Sequence, residues 1–179
     1  MRTLGTHSTP RRPAGPLRRV AGARPRVLGI LVAIGMLTRG VPAEAAGDDP
    51  GCPHWRAAFA SMPTRTVVIG TGAPQEFRVP GKLAATEEAR RAGFQCATVE
   101  EIERTVILFD FGAEVVRGFH MWNVPASLDI AFVRASGRIF SILRMEPDAR
   151  ETYGPMGRFR YALEAREGFF KTHGIAMGH

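Results

Sequence analysis

"LDIAFVRASGRIFSILRM", Leu128 to Met145, reads as two strands around a turn. Leu128, Ile130 and Phe132 alternate with Asp129, Ala131 and Val133, the period of a half-covered strand. Between the strands, Ser136-Gly137 supplies a residue free to take the positive φ of a tight hairpin. The return strand, "RIFSILRM", places Arg144 on one face with Phe140 and Ile142. Asp129 and Arg144 are therefore expected on strands that neighbour each other.

Further along, "FRYALEA" (Phe159 to Ala165) alternates again, with Phe159, Tyr161 and Leu163 on one face and Arg160, Ala162 and Glu164 on the other. On the N-terminal side, "AEVVRGFHMW" (Ala113 to Trp122) is expected as a strand that stops before Pro125. "TVILFDF" (Thr105 to Phe111) is almost continuously β-branched and aromatic, as in a strand covered on both faces. "TRTVVIG" and "QEFRV" flank "GTGAP" and predict a further hairpin. Gly70-Thr71-Gly72 is no dinucleotide loop, because Pro74 and Gln75 stand where a third glycine and a helix are required. Two short helices are predicted before "TVILFDF". In "TEEARRAGF", Thr86 caps the start and Gly93 takes the exit. In "TVEEIER", Thr98 and Glu101 have capping-box spacing. Many short strands with a helical patch predict an α+β fold. It would be β-rich and mostly antiparallel, a small partly open barrel with one or two short helices.

The N-terminus has another character. Arginines precede an eleven-residue apolar run, Val27 to Leu37, and "VPAEAAG" then offers small residues in an A-x-A arrangement. That order is the pattern of a secretory signal peptide, assigned to residues 1–45, with cleavage after Ala45 or Ala46. The apolar run is shorter than the roughly 20 residues that span a membrane, so a membrane would be met only through an uncleaved leader. Residues 46–63 are expected as a tether and residues 64–179 as one domain, placed in the periplasm or outside the cell.

The formal charge of +7 belongs to the leader. Eight of the 24 basic residues lie before residue 46 with only one of the 17 acids, Glu44, which leaves 16 of each sign. A neutral domain offers no electrostatic footprint for a nucleic-acid partner. Its partner is expected to be a small molecule or a protein. Cys52 and Cys96 would meet an oxidising compartment, where either one disulfide or two separate buried thiols is open.

Three polar residues on predicted strands, Asp129, Arg144 and Glu164, stand among apolar or small neighbours. On one covered face they would form an ion-pair network or a polar cleft. A strand carboxylate can also accept bonds from a loop's N–H groups and act as a fastener. Two carboxylates could do acid/base work, the alternative of an extracytoplasmic enzyme. Asn123 could cap the loop that follows it or contact a ligand. Trp122 beside it would suit contact with a sugar or peptide if exposed. The histidines lack metal-ligand spacing, and no nucleophile elbow or phosphate loop is present, so neither a metal nor a cofactor is expected.

The same residues carry a resemblance. Phe119, Met121, Asn123, the "LDIAF" of Leu128–Phe132, Gly137, Ile139, Pro147, Tyr153, Leu163, Glu164 and Gly168 resemble the pattern of domain-of-unknown-function family 192, over about residues 64–178. Departures include His120 for a tryptophan, Trp122 for a basic residue, Val124 for a threonine, and Gln95 for a methionine. The resemblance implies a compact β-rich α+β domain that is exported, and it implies no activity. The candidate ligand-binding set is thus Asn123, Asp129, Arg144, Glu164, Trp122 and Tyr153, in a non-catalytic binding module. A structural or assembly protein without a small ligand is a further alternative.

Overall fold

A computed structural model describes residues 49–70, 76–147 and 151–179. The leader at residues 1–45 and residues 71–75, most of the "GTGAP" connection, lie outside the described residues. Six strands form one sheet: β1 (Thr64–Gly70), β2 (Glu76–Ala84), β3 (Val106–Val115), β4 (Leu128–Val133), β5 (Ile139–Met145) and β6 (Phe159–Arg166). Their order is β1-β2-β3-β6-β4-β5. Every neighbouring pair is antiparallel except β2 and β3, which are parallel. The sheet does not close, as the partly open reading expects: β1 and β5 are its edges.

Four helices, where one or two were expected, lie among the described residues: α1 (Cys52–Ser61), α2 (Glu87–Ala92), α3 (Val99–Arg104) and α4 (Phe169–Thr172). α2 and α3 start as their sequences dictate. Thr86 Oγ1 accepts from the Ala89 N–H, and Thr98 and Glu101 close a reciprocal capping box. Gly93 leaves α2 at φ +48°. α1 has a proline in its first turn, where the missing N–H costs nothing. It occupies the segment expected as a tether and buries Ala58 and Phe59. Its first residue, Cys52, forms a disulfide with Cys96 across 44 residues. This staple and the bond from Arg56 Nη1 to the Cys96 carbonyl at 2.7 Å hold α1 against the body.

Both faces of the sheet carry core. Ile107, Phe109, Leu128, Ile130 and Phe132 pack with Phe59, Phe94 and Ile102 of the helical layer. On the other face, Val106, Ala131, Leu163 and Ala165 pack with Phe169 and Phe170 of α4. β3 is therefore covered on both sides, as its unbroken apolar run predicts. Burial of each such aromatic or branched side chain is worth about 1.5–3 kcal/mol.

The simple alternation fails where the ladder slips. The β3–β6 register shifts between Asp110 and Val115, and the β4–β5 register shifts between Phe132 and Val133. An extra residue at a bulge swaps the faces beyond it. Phe159 therefore joins the core with Ala162, not with Leu163, and Phe140 packs on the face opposite Ile142. "AEVVRGFHMW" is no strand of its own. Its first residues end β3, and the chain from 116 to 127 is irregular; Phe119 and Tyr153 form an isolated bridge, exchanging backbone bonds at 2.7 Å.

Candidate functional site

The polar residues singled out by sequence occupy different places. Asp129 lies opposite Arg144 on one flank and Ala165 on the other, whereas Glu164 lies opposite Ile130 and Ile107. A one-residue offset on paired strands sends the two carboxyls to opposite faces. A single cleft formed by Asn123, Asp129, Arg144 and Glu164 is thereby corrected, and with it the acid/base carboxylate pair.

Asp129 is a fastener. Its Oδ2 accepts from the Gly168 N–H at 2.9 Å and so ties β4 to the turn before α4. Partial burial raises its pKa, against the effect of that bond. Arg144 does not bond Asp129. Its guanidinium reaches Glu146 at 3.1 Å and Glu167 at 3.0 Å, and half of the side chain is exposed. Tyr153 also serves the chain itself, its hydroxyl accepting from the Glu146 N–H at 3.1 Å.

Asn123 adopts φ +57°, the left-handed conformation that asparagine tolerates best after glycine. Its carbonyl accepts from the Cys96 N–H at 2.7 Å, and its Nδ2 donates to Asp49 Oδ2 at 2.9 Å. It joins the irregular loop to the disulfide and to the segment before α1. The Gly51 N–H and the Asn123 amide together hold the Asp49 pKa below its usual value. Trp122 is 56% exposed and stacks on His120, ring centres 4.7 Å apart.

Glu164 is different. It is 4% exposed, and no hydrogen bond to its carboxyl is made among the described residues. Its carboxyl borders a cavity of about 380 Å³ between α2, the end of β3 and the 116–127 loop. Phe94, Phe109, Phe119, Val124 and Leu128 give the cavity apolar walls. Gly93 bounds it beside the carboxyl: a Cβ there would stand 3.6 Å from Glu164 Oε2 and 3.7 Å from Phe109 Cζ. Desolvation, with no compensating bond, raises the Glu164 pKa to about 8. The group is mostly neutral at pH 7.

The remaining polar lining was not foreseen. Gln95, 7% exposed, donates from Nε2 to the Arg91 carbonyl at 2.6 Å. Arg90 lies over the Phe111 ring and donates to the Ala85 and Asp110 carbonyls, and Arg91 pairs with Glu87 at 2.6 Å. Arg117 and His120 stand near the mouth. Desolvation lowers the pKa of His120. Of the six candidate ligand-binding residues, only Glu164 lines this cavity. Among the described residues no group of three or more His, Cys, Asp or Glu side chains is placed to hold a metal ion.

Open mixed sheet, helical layer and the "LDIAF" strand beside a buried glutamate define a small α+β domain, and its family follows. The chain belongs to DUF192 (Uncharacterized ACR, COG1430), whose family model matches residues 67–179. Two solved structures are similar. One is a Sinorhizobium meliloti 1021 protein described as a candidate transcription regulator, 24% identical, with TM-score 0.61, covering 66% of this chain and 92% of that one. The other is a protein of unknown function from Novosphingobium aromaticivorans DSM 12444, 23% identical, with TM-score 0.58, covering 68% and 93%. At such identities the likeness concerns the fold. A search of curated proteins finds no match.

Proposed function

We propose that this domain is an exported, non-catalytic binding module whose small ligand occupies the cavity over Glu164. One observation carries the reading: a buried carboxyl without a donor faces a cavity. Leaving such a group desolvated costs folding free energy. Evolution tolerates that cost mainly where the group has work to do. The cavity is within the size range of small-molecule sites, with apolar walls and a comparable share of polar lining. Turnover is disfavoured because Asp129 points to the other face and cannot share a substrate with Glu164. Export is supported by the leader pattern and by the Cys52–Cys96 disulfide, which suits an oxidising compartment. No helix among the described residues is long and apolar enough to cross a membrane.

The test is a fragment-library titration of the oxidised protein followed by amide NMR. Binders are expected to shift Gly93, Gln95, Phe119 and His120 together. A library whose binders all leave those four amides unmoved sinks the reading. Amino-terminal sequencing of the protein from the extracytoplasmic fraction tests export, with Ala46 or Gly47 expected as the first residue.

A further inference from the structure

Granting that the cavity is a ligand site, its chemistry narrows what it would take. The buried side chains offer acceptors and aromatic surface. Glu164 accepts no hydrogen bond among the described residues. Gln95 commits its Nε2 to the Arg91 carbonyl, while its oxygen meets no donor among the described residues. Phe109 and Phe119 stand edge to face, centres 5.1 Å apart, and Phe109 Cζ and Glu164 Oε2 approach the same point beside Gly93. The arginines are at the rim, and two of them are engaged: Arg90 with two carbonyls and Phe111, Arg91 with Glu87. An anion drawn into the interior would meet two acceptors.

From this arrangement we infer that the ligand is a small organic cation: a primary or secondary ammonium on an apolar or aromatic body. Its N–H groups bond Glu164 and Gln95, and its charge lies against the Phe109 and Phe119 rings. Charge-assisted bonds to a carboxylate are roughly twice as strong as neutral ones, and ring faces attract a desolvated cation. The raised pKa of Glu164 then gives binding a signature. The resting carboxyl is mostly protonated. As the ammonium enters, the carboxyl O–H proton leaves to solvent and the carboxylate remains paired with the cation. The other charged groups around the cavity are Glu87, Arg90 and Arg91 on α2 and Arg117 and His120 near the mouth. The flanking strands present Ile107 and Ile130 to Glu164, and Arg166 on the same strand pairs with Glu103 of α3. Burial accounts for the shift of Glu164.

The test is calorimetric titration of the full oxidised chain at pH 7 with benzylammonium, benzyl alcohol and benzoate, each in two buffers of different ionisation heat. Benzylammonium is expected to bind at least about ten-fold more tightly than the other two, with close to one proton released. Glu164→Gln should weaken it by a similar factor and remove the proton release. The proton count on the unaltered protein stands whether or not the variant folds. Binding of benzyl alcohol or benzoate as tight as benzylammonium overturns the inference, as does benzylammonium binding without proton release. So does failure of all three to bind. If the alcohol or the benzoate binds as tightly as benzylammonium and shifts the cavity amides, the ligand class fails and the binding site survives. If benzylammonium binds without moving those amides, the cation inference fails at this cavity, and the library titration judges the site separately.

Discussion

Glu164 and Asp129 lie on the paired strands β6 and β4, one residue out of step: Glu164 faces Ile130 while Asp129 faces Ala165. The offset gives the two acids opposite fates. Asp129 finds the Gly168 N–H and a half-wet environment at the sheet's second face. Glu164 is set between the branched side chains of Ile107 and Ile130, under the helical layer, with only the cavity before it.

Glu164 should make the fold less stable as pH rises. Its folded pKa of about 8 lies above the usual carboxyl value of 4.5. Below the lower value both folded and unfolded states hold the proton. Between the two, the unfolded chain ionises while the folded one cannot, and stability falls until about pH 8. The loss by pH 7 is on the order of 3 kcal/mol. Urea unfolding at pH 5 and pH 8 is expected to show this slope, and Glu164→Gln to flatten it. An unchanged slope in the variant would refute the assignment.

Asp129 should behave as a fastener. Asp129→Ala leaves the Gly168 N–H without its acceptor and is expected to cost about 1–3 kcal/mol. Asp129→Asn keeps a side-chain oxygen in place and should cost less than about 1 kcal/mol. Equilibrium denaturation of both variants decides. Equal losses would mean that the charge, and not the bond, matters.

The Cys52–Cys96 disulfide closes 44 residues that include α1, β1, β2 and α2. Its removal by Cys52→Ser with Cys96→Ser is expected to cost roughly 3–4 kcal/mol in the chain-entropy model. The denaturation midpoint of the variant, and of the natural protein with and without reductant, measures it. Coincident midpoints would show that the staple does not constrain the unfolded chain.

Asn123 tests the loop. Asn123→Gly and Asn123→Ala both lose the bond to Asp49, but glycine keeps the left-handed backbone available whereas alanine strains it by about 1 kcal/mol. Glycine should therefore be the milder change in thermal unfolding. Equal losses would place the importance of Asn123 in its side chain alone.

The sequence by itself determined what local physics controls. Alternation gave β4, β5 and β6, the unbroken apolar run gave β3 as a central strand, and Thr86 and Thr98 gave the starts of α2 and α3. These follow from side-chain periodicity and capping, which act over a few residues. The resemblance likewise gave the family, because its pattern is spelled in the "LDIAF" strand and its neighbours. Only tertiary structure decided which polar groups meet. Register between strands far apart in sequence sent Asp129 and Glu164 to opposite faces, and bulges moved Phe140 and Phe159 across the sheet. The cavity draws on α2, β3, the 116–127 loop and β6, and Gln95 and Gly93 enter it through a helix exit that no periodicity announces. A one-residue slip reverses every side chain on a strand, and nothing within the strand itself records it.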